Sequence, residues 1–124
     1  MNSNEISEII RQEFGQIADR FEILDLTMDK AAGAKTPARA GVYVFWKGGS
    51  VIKVGRHLQD PKKRALEHIG ANTGGTMKEL GADPACHLLL LIVKEQERDI
   101  HWPFALEVFL ERKLQPTVKA DRLG

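Results

Sequence analysis

The stretch AGVYVFWKGGSVIKVGRH, residues 40 to 57, constrains the fold more than any other part of the chain. Two apolar runs flank Lys47-Gly48-Gly49, a pattern that predicts a β-hairpin with strands over residues 41 to 46 and 50 to 54. One residue breaks the apolar run: Lys53 puts an ammonium in the second strand, ten positions after Tyr43 in the first. Register decides whether the two meet. A strict two-residue turn at Gly48-Gly49 would place them on opposite faces, because side chains alternate along a strand. A three-residue loop, Lys47-Gly48-Gly49, instead sets Tyr43 across from Lys53 and Phe45 across from Val51, and this is the expected register. The ammonium then favours the phenolate, lowering the tyrosine pKa from its ordinary ~10. The plainer alternative has Lys53 in water and Tyr43 as a core or rim aromatic.

Around the hairpin the sequence predicts helices. Ile6, Ile9, Ile10, Phe14, Ile17, Ala18 and Phe21 recur at helical spacing behind a Ser3 or Asn4 cap, giving an amphipathic helix over residues 4 to 20. Residues 30 to 40 read as a linker. Asp60-Pro61 is a helix start, with the helix running from 61 to 69 and stopping at Gly70. Residues 70 to 84, GANTGGTMKELGADP, read as a loop with one helical turn at 76 to 80. HLLLLIVKE is a buried strand by its continuous apolar character, and residues 103 to 115 form a helix that Pro116 ends. The expected fold class is α/β: a small three-stranded antiparallel sheet with a central β-hairpin flanked by helices, plus an N-terminal helix. Residues 1–38 would be the N-terminal amphipathic helix and linker, and 39–124 the main domain.

With 124 residues, 43% of them hydrophobic and 28% charged, the chain has the makings of one globular core. The single cysteine, Cys86, excludes an intramolecular disulfide and a zinc cluster, which points to a reducing, cytoplasmic setting. The longest apolar run, residues 88 to 93, is far too short to span a bilayer, so no membrane association is expected. Net charge is only +1, but it is unevenly distributed. Residues 1 to 34 carry seven acidic and three basic side chains, and residues 35 to 72 carry eight basic and two acidic. That basic surplus is a footprint for a polyanion, or else a solvated basic face.

GVY at 41 to 43, KVG at 53 to 55, Arg64, His68, and Glu107 nine residues ahead of Pro116 together resemble the GIY-YIG nuclease superfamily, particularly its UvrC-like N-terminal endonuclease domain type. The resemblance covers roughly residues 40 to 119. Two positions depart from it: Lys53 replaces the second motif tyrosine, and Lys119 replaces the asparagine that usually follows the terminal proline.

The resemblance implies a metal-dependent endonuclease acting on DNA, with branched or damaged forms among its substrates. Tyr43 would be the base and Lys53 would tune it. Arg64 and His68, four apart on one helix face, would serve the phosphate, Arg64 through two parallel donors that an ammonium lacks. Glu107 would be the single protein ligand of Mg²⁺ or Mn²⁺. Arg56, His57, Lys62 and Lys63 would contact nucleic acid. Each has a plain counterpart: a basic solvent-facing helix for Arg64 and its neighbours, the wet stripe of an amphipathic helix for Glu107, Glu111 and Gln115. The alternative function is a catalytically inactive nucleic-acid-binding or protein-interaction module on the same scaffold. The N-terminal helix offers a face for self-association or a protein partner.

Overall fold

The computed structural model describes residues 2 to 120. Helix α1 (Ser3–Phe14) begins at Asn2, whose side chain accepts the Glu5 N–H, and ends at Gly15, where φ of 59° turns the chain away. The helix is therefore shorter than the expected span of 4 to 20. A 3₁₀ segment (Gly15–Arg20) follows, then strand β1 (Phe21–Thr27), which the helical spacing of Ile17, Ala18 and Phe21 had masked. After a short helix α2 (Met28–Ala31) come β2 (Gly41–Lys47), β3 (Ser50–His57), α3 (Pro61–Gly70), β4 (Cys86–Val93), a single turn α4 (Gln96–Asp99) and α5 (Trp102–Leu114). Asp60 caps α3 by accepting the Lys63 N–H at 3.1 Å, with Pro61 in the first turn. Gln115, at φ 48°, and Pro116 close α5.

The sheet has four antiparallel strands in the order β1-β4-β2-β3, one more than expected. β4 lies between β1 and β2, which explains its unbroken apolar run: Leu88 to Val93 are all fully buried. β3 is an edge strand, and the chain after α5 runs back onto it, with Thr117 and Val118 N–H donating to the Val51 and Ile52 carbonyls. Such cover at one end of an exposed edge limits pairing with other chains.

The hairpin register differs from expectation. The turn is the two-residue Gly48-Gly49, with Lys47 paired to Ser50 and Trp46 to Val51. A bulge then leaves Ile52 as the extra residue, so that Phe45 pairs with Lys53 and Tyr43 with Gly55. The bulge shifts everything after it by one residue, turning Lys53 onto the Tyr43 face that a regular two-residue hairpin would have denied it.

The sheet is covered on both sides. On one face Ile6 and Ile10 of α1 and Leu106 and Leu110 of α5 pack against Val42, Val44, Val54, Leu89 and Leu91. On the other, Ala65 of α3, Met28, Met77 and Leu80 pack against Tyr43, Phe45, Leu88, Leu90 and Ile92. The apolar stripe of α1 is thus consumed in the core. Buried Asp99 ties the end of α4 to the segment before β1, pairing with Arg20 at 3.0 Å as well as with its neighbour Arg98 at 2.7 Å. No helix among the described residues is long and apolar enough to cross a membrane.

Candidate active site

Tyr43 and Gly55 sit directly opposite each other in the β2–β3 ladder, and the tyrosine ring lies across the glycine. A Cβ built on Gly55 would fall 2.1 Å from the phenolic oxygen, so only glycine at 55 admits this pose. The hydroxyl is carried over the outermost strand of the sheet, two residues along from Lys53 on the same face.

Helix α3 closes the site from above. The His68 ring is 5.9 Å from that of Tyr43, and its Nδ1 is 2.7 Å from the Thr73 hydroxyl, a contact that fixes the ring's orientation. Burial, then the positive charges of Lys53 and Arg64, push the His68 pKa down to about 4, leaving the imidazole neutral at pH 7. Lys53, only 7% exposed, lies on the Tyr43 face of β3, and its positive charge acts on His68. Arg64, one turn earlier on α3, is exposed and 3.8 Å from Glu67. Tyr43, Lys53, His68 and Arg64 therefore form one group on the α3 side.

Glu107 belongs to a second group, carried by the helix on the other face of the sheet. Leu106 and Leu110 point into the core, so the next stripe of α5, Glu107 and Glu111, is turned toward β3 and the returning chain. Glu107 Oε1 is 3.5 Å from Arg56 Nε, and the Arg56 guanidinium lies 4.2 Å above the Phe104 ring. Glu111 is 2% exposed; one carboxylate oxygen accepts the Ala120 N–H at 2.7 Å, while the other is buried without a hydrogen bond. This stripe is not the wet face of α5. The two groups meet at β3: Lys53 and Gly55 serve one side and Arg56 the other, within four residues of an edge strand that has only one neighbouring strand.

No family model matches the chain, and no curated protein matches it significantly in sequence. Solved structures do. The magnesium-bound GIY-YIG N-terminal endonuclease domain of UvrC from Thermotoga maritima superposes with a TM-score of 0.52 at 22% identity, over 73% of this chain and 92% of that one. A point mutant of that domain, bound to its catalytic divalent cation, gives 0.50 at 26% identity over 73% and 91%. The chain has the GIY-YIG fold.

Within this GIY-YIG fold the remaining sequence-derived residues fall in mixed positions. His57 Nδ1 accepts the backbone N–H groups of Gln59 and Asp60, at 3.2 and 3.0 Å, and so shapes the turn into α3. Lys62 donates to the Ala34 carbonyl, anchoring the segment before β2. Lys63 is exposed, and Lys119 is exposed with its ammonium 3.2 Å from Gln115 Oε1. Gly55 as the bed of Tyr43, Thr73 as the partner of His68 and the burial of Glu111 were not read from sequence. The first has a signal, the glycine of KVG; the other two depend on tertiary placement.

Among the described residues no group of three or more His, Cys, Asp or Glu side chains could hold a metal ion. The donors available near Arg56 are hard carboxylate oxygens, Glu107 with Glu111 one turn along. This fits Mg²⁺ or Mn²⁺, which takes one or two carboxylates and completes its shell with water and phosphate oxygens, and does not fit a zinc cage. Arg56 already pairs with Glu107, so an entering cation competes with the guanidinium.

Proposed function

We propose that this chain is an endonuclease that hydrolyses phosphodiester bonds in DNA with the help of a divalent cation. The observation that carries this reading is the Tyr43 phenol laid over Gly55 beside buried Lys53 and neutral His68, in a fold shared with a magnesium-bound endonuclease domain.

Tyr43 serves as the base that takes a proton from the attacking water, and the Lys53 ammonium favours the phenolate it needs. His68, neutral and held by Thr73, is free of the charge that would repel Lys53 and Arg64, and orients the water by hydrogen bonding. Arg64, exposed and forked, binds the non-bridging oxygens of the scissile phosphate. Glu107 would hold the cation, with Glu111 behind it; when bound, such an ion offsets charge on the phosphate and the departing oxygen. Arg56 and Lys63 add attraction for the nucleic-acid backbone.

A second reading, a nucleic-acid-binding module without turnover, is favoured by Lys53 and Lys119 standing where the family pattern has tyrosine and asparagine. Incubation with supercoiled DNA and Mg²⁺ or Mn²⁺ separates the two. The nuclease reading requires nicking that Glu107→Ala and Arg64→Ala each abolish. Binding without nicking establishes the module instead, and nicking that survives both substitutions removes the assignment.

A further inference from the structure

The groove between α1 and α5 plays no part in the reaction described above. It is an open, shallow groove of about 790 Å³ lined by Phe14, Phe104, Val108 and Phe109 together with Arg112, Lys113 and Glu13. Phe104 and Val108 are 42% and 43% exposed, an unusual use of a helix stripe whose neighbour hides two glutamates. Phe14 and Phe109 meet edge to face at 5.5 Å, which braces the wall. Phe104 also carries the Arg56 guanidinium at 4.2 Å, and Arg56 is 3.5 Å from Glu107. The groove thus begins one aromatic ring away from the carboxylate.

We propose that this groove is a subsite for unpaired nucleotides next to the scissile phosphate, with Phe104 as the stacking platform. The proposal rests on the nuclease reading, which puts the phosphate beside Glu107, and it names the class of substrate. Exposed aromatic rings flanked by cations match a single strand, whose bases offer open faces while its phosphates seek positive charge. Bases in a duplex keep their faces inside the stack and cannot enter an apolar groove. Among the groove's lining residues Arg112 and Lys113 outnumber Glu13, and Arg56 behind Phe104 is balanced by Glu107, so the net charge of the wall is positive and favours a polyanion over an uncharged apolar partner.

The test uses the full chain in EDTA, so that nothing is cut, with a fluorescently labelled oligothymidylate and a blunt duplex of equal length. Phe104→Ala should weaken single-strand binding about tenfold, as loss of one stacked base does, and leave duplex binding within about twofold. Phe104→Tyr should retain affinity. Val108→Glu, placed in the groove away from Arg56, should also weaken the single strand selectively. An oligonucleotide carrying 2-aminopurine should be quenched by the native chain and not by Phe104→Ala. Equal losses on both DNAs, or no loss, overturn the proposal. So does sedimentation showing that the native chain is a dimer, that Val108→Glu is a monomer, and that single-strand affinity is unchanged, because the groove is then an interface between copies. Stacking without any metal-dependent nicking would remove the nuclease reading and keep the subsite; nicking without single-strand preference would do the reverse.

Discussion

At Gly55 a single missing methyl group decides where the Tyr43 phenol rests, since a Cβ would lie 2.1 Å from the oxygen. Gly55→Ala should cost about 1–3 kcal/mol by overpacking, measured by urea unfolding, and should lower nicking on the order of 100-fold because the phenol is displaced. His68 gives a second prediction at this scale. Its pKa is about 4 in the folded chain and near its ordinary 6.5 unfolded, so between those values the unfolded state binds the extra proton. Stability present above pH 6.5 is therefore lost as pH falls toward 4, and His68→Gln should flatten that part of the profile in chemical denaturation. Lys53→Met should raise the His68 pKa, read from its imidazole proton resonances, because one of the two cations holding it down is gone. Arg56→Ala should tighten Mn²⁺ binding by freeing Glu107 from its pair while weakening DNA binding, a split that calorimetry and anisotropy resolve.

Elements were legible in proportion to how local their signals are. The cap and proline of α3, the apolar run of β4 and the proline after α5 all act within a turn, and each element appears within a residue or two of its expected limits. Asp60→Ala should accordingly cost about 1 kcal/mol of stability, the ordinary value for a lost cap. β1 was hidden because Phe21 continues the helical spacing of α1, and the break at Gly15 is a backbone event, a positive φ that the periodicity does not carry. The bulge at Ile52 was equally invisible: register depends on pairing energies across two strands, and the three-residue loop was one of two ways to bring Lys53 to the Tyr43 face. The stripe of α5 stays ambiguous in sequence for a related reason, since period alone allows both a wet face and a functional Glu107. Glu107 and Glu111 look solvent-facing by period, yet the returning chain and Arg56 cover them, while Phe104 and Val108 stay open.

For the whole molecule, the motif residues 43, 53, 64, 68 and 107 come from four elements, strands β2 and β3 of the sheet, helix α3 on one of its faces and helix α5 on the other, and the two groups meet at the edge strand β3. No spacing rule in sequence reports such an arrangement, and the family resemblance alone suggested it. The basic surplus of residues 35 to 72 is partly spent on structure, in Lys62, in the Lys47–Asp83 pair at 2.6 Å, in Arg39 paired with Glu22 and in Arg56 paired with Glu107, while Lys35, Lys63 and Arg64 are exposed. That the α3 group and the α5 group act as one site is the central claim, and paramagnetic relaxation tests it most directly. Mn²⁺ bound to the full chain should broaden the ring resonances of both Tyr43 and His68, and Glu107→Ala should abolish that broadening. Broadening that leaves both rings untouched, or that persists without the Glu107 carboxylate, would contradict it.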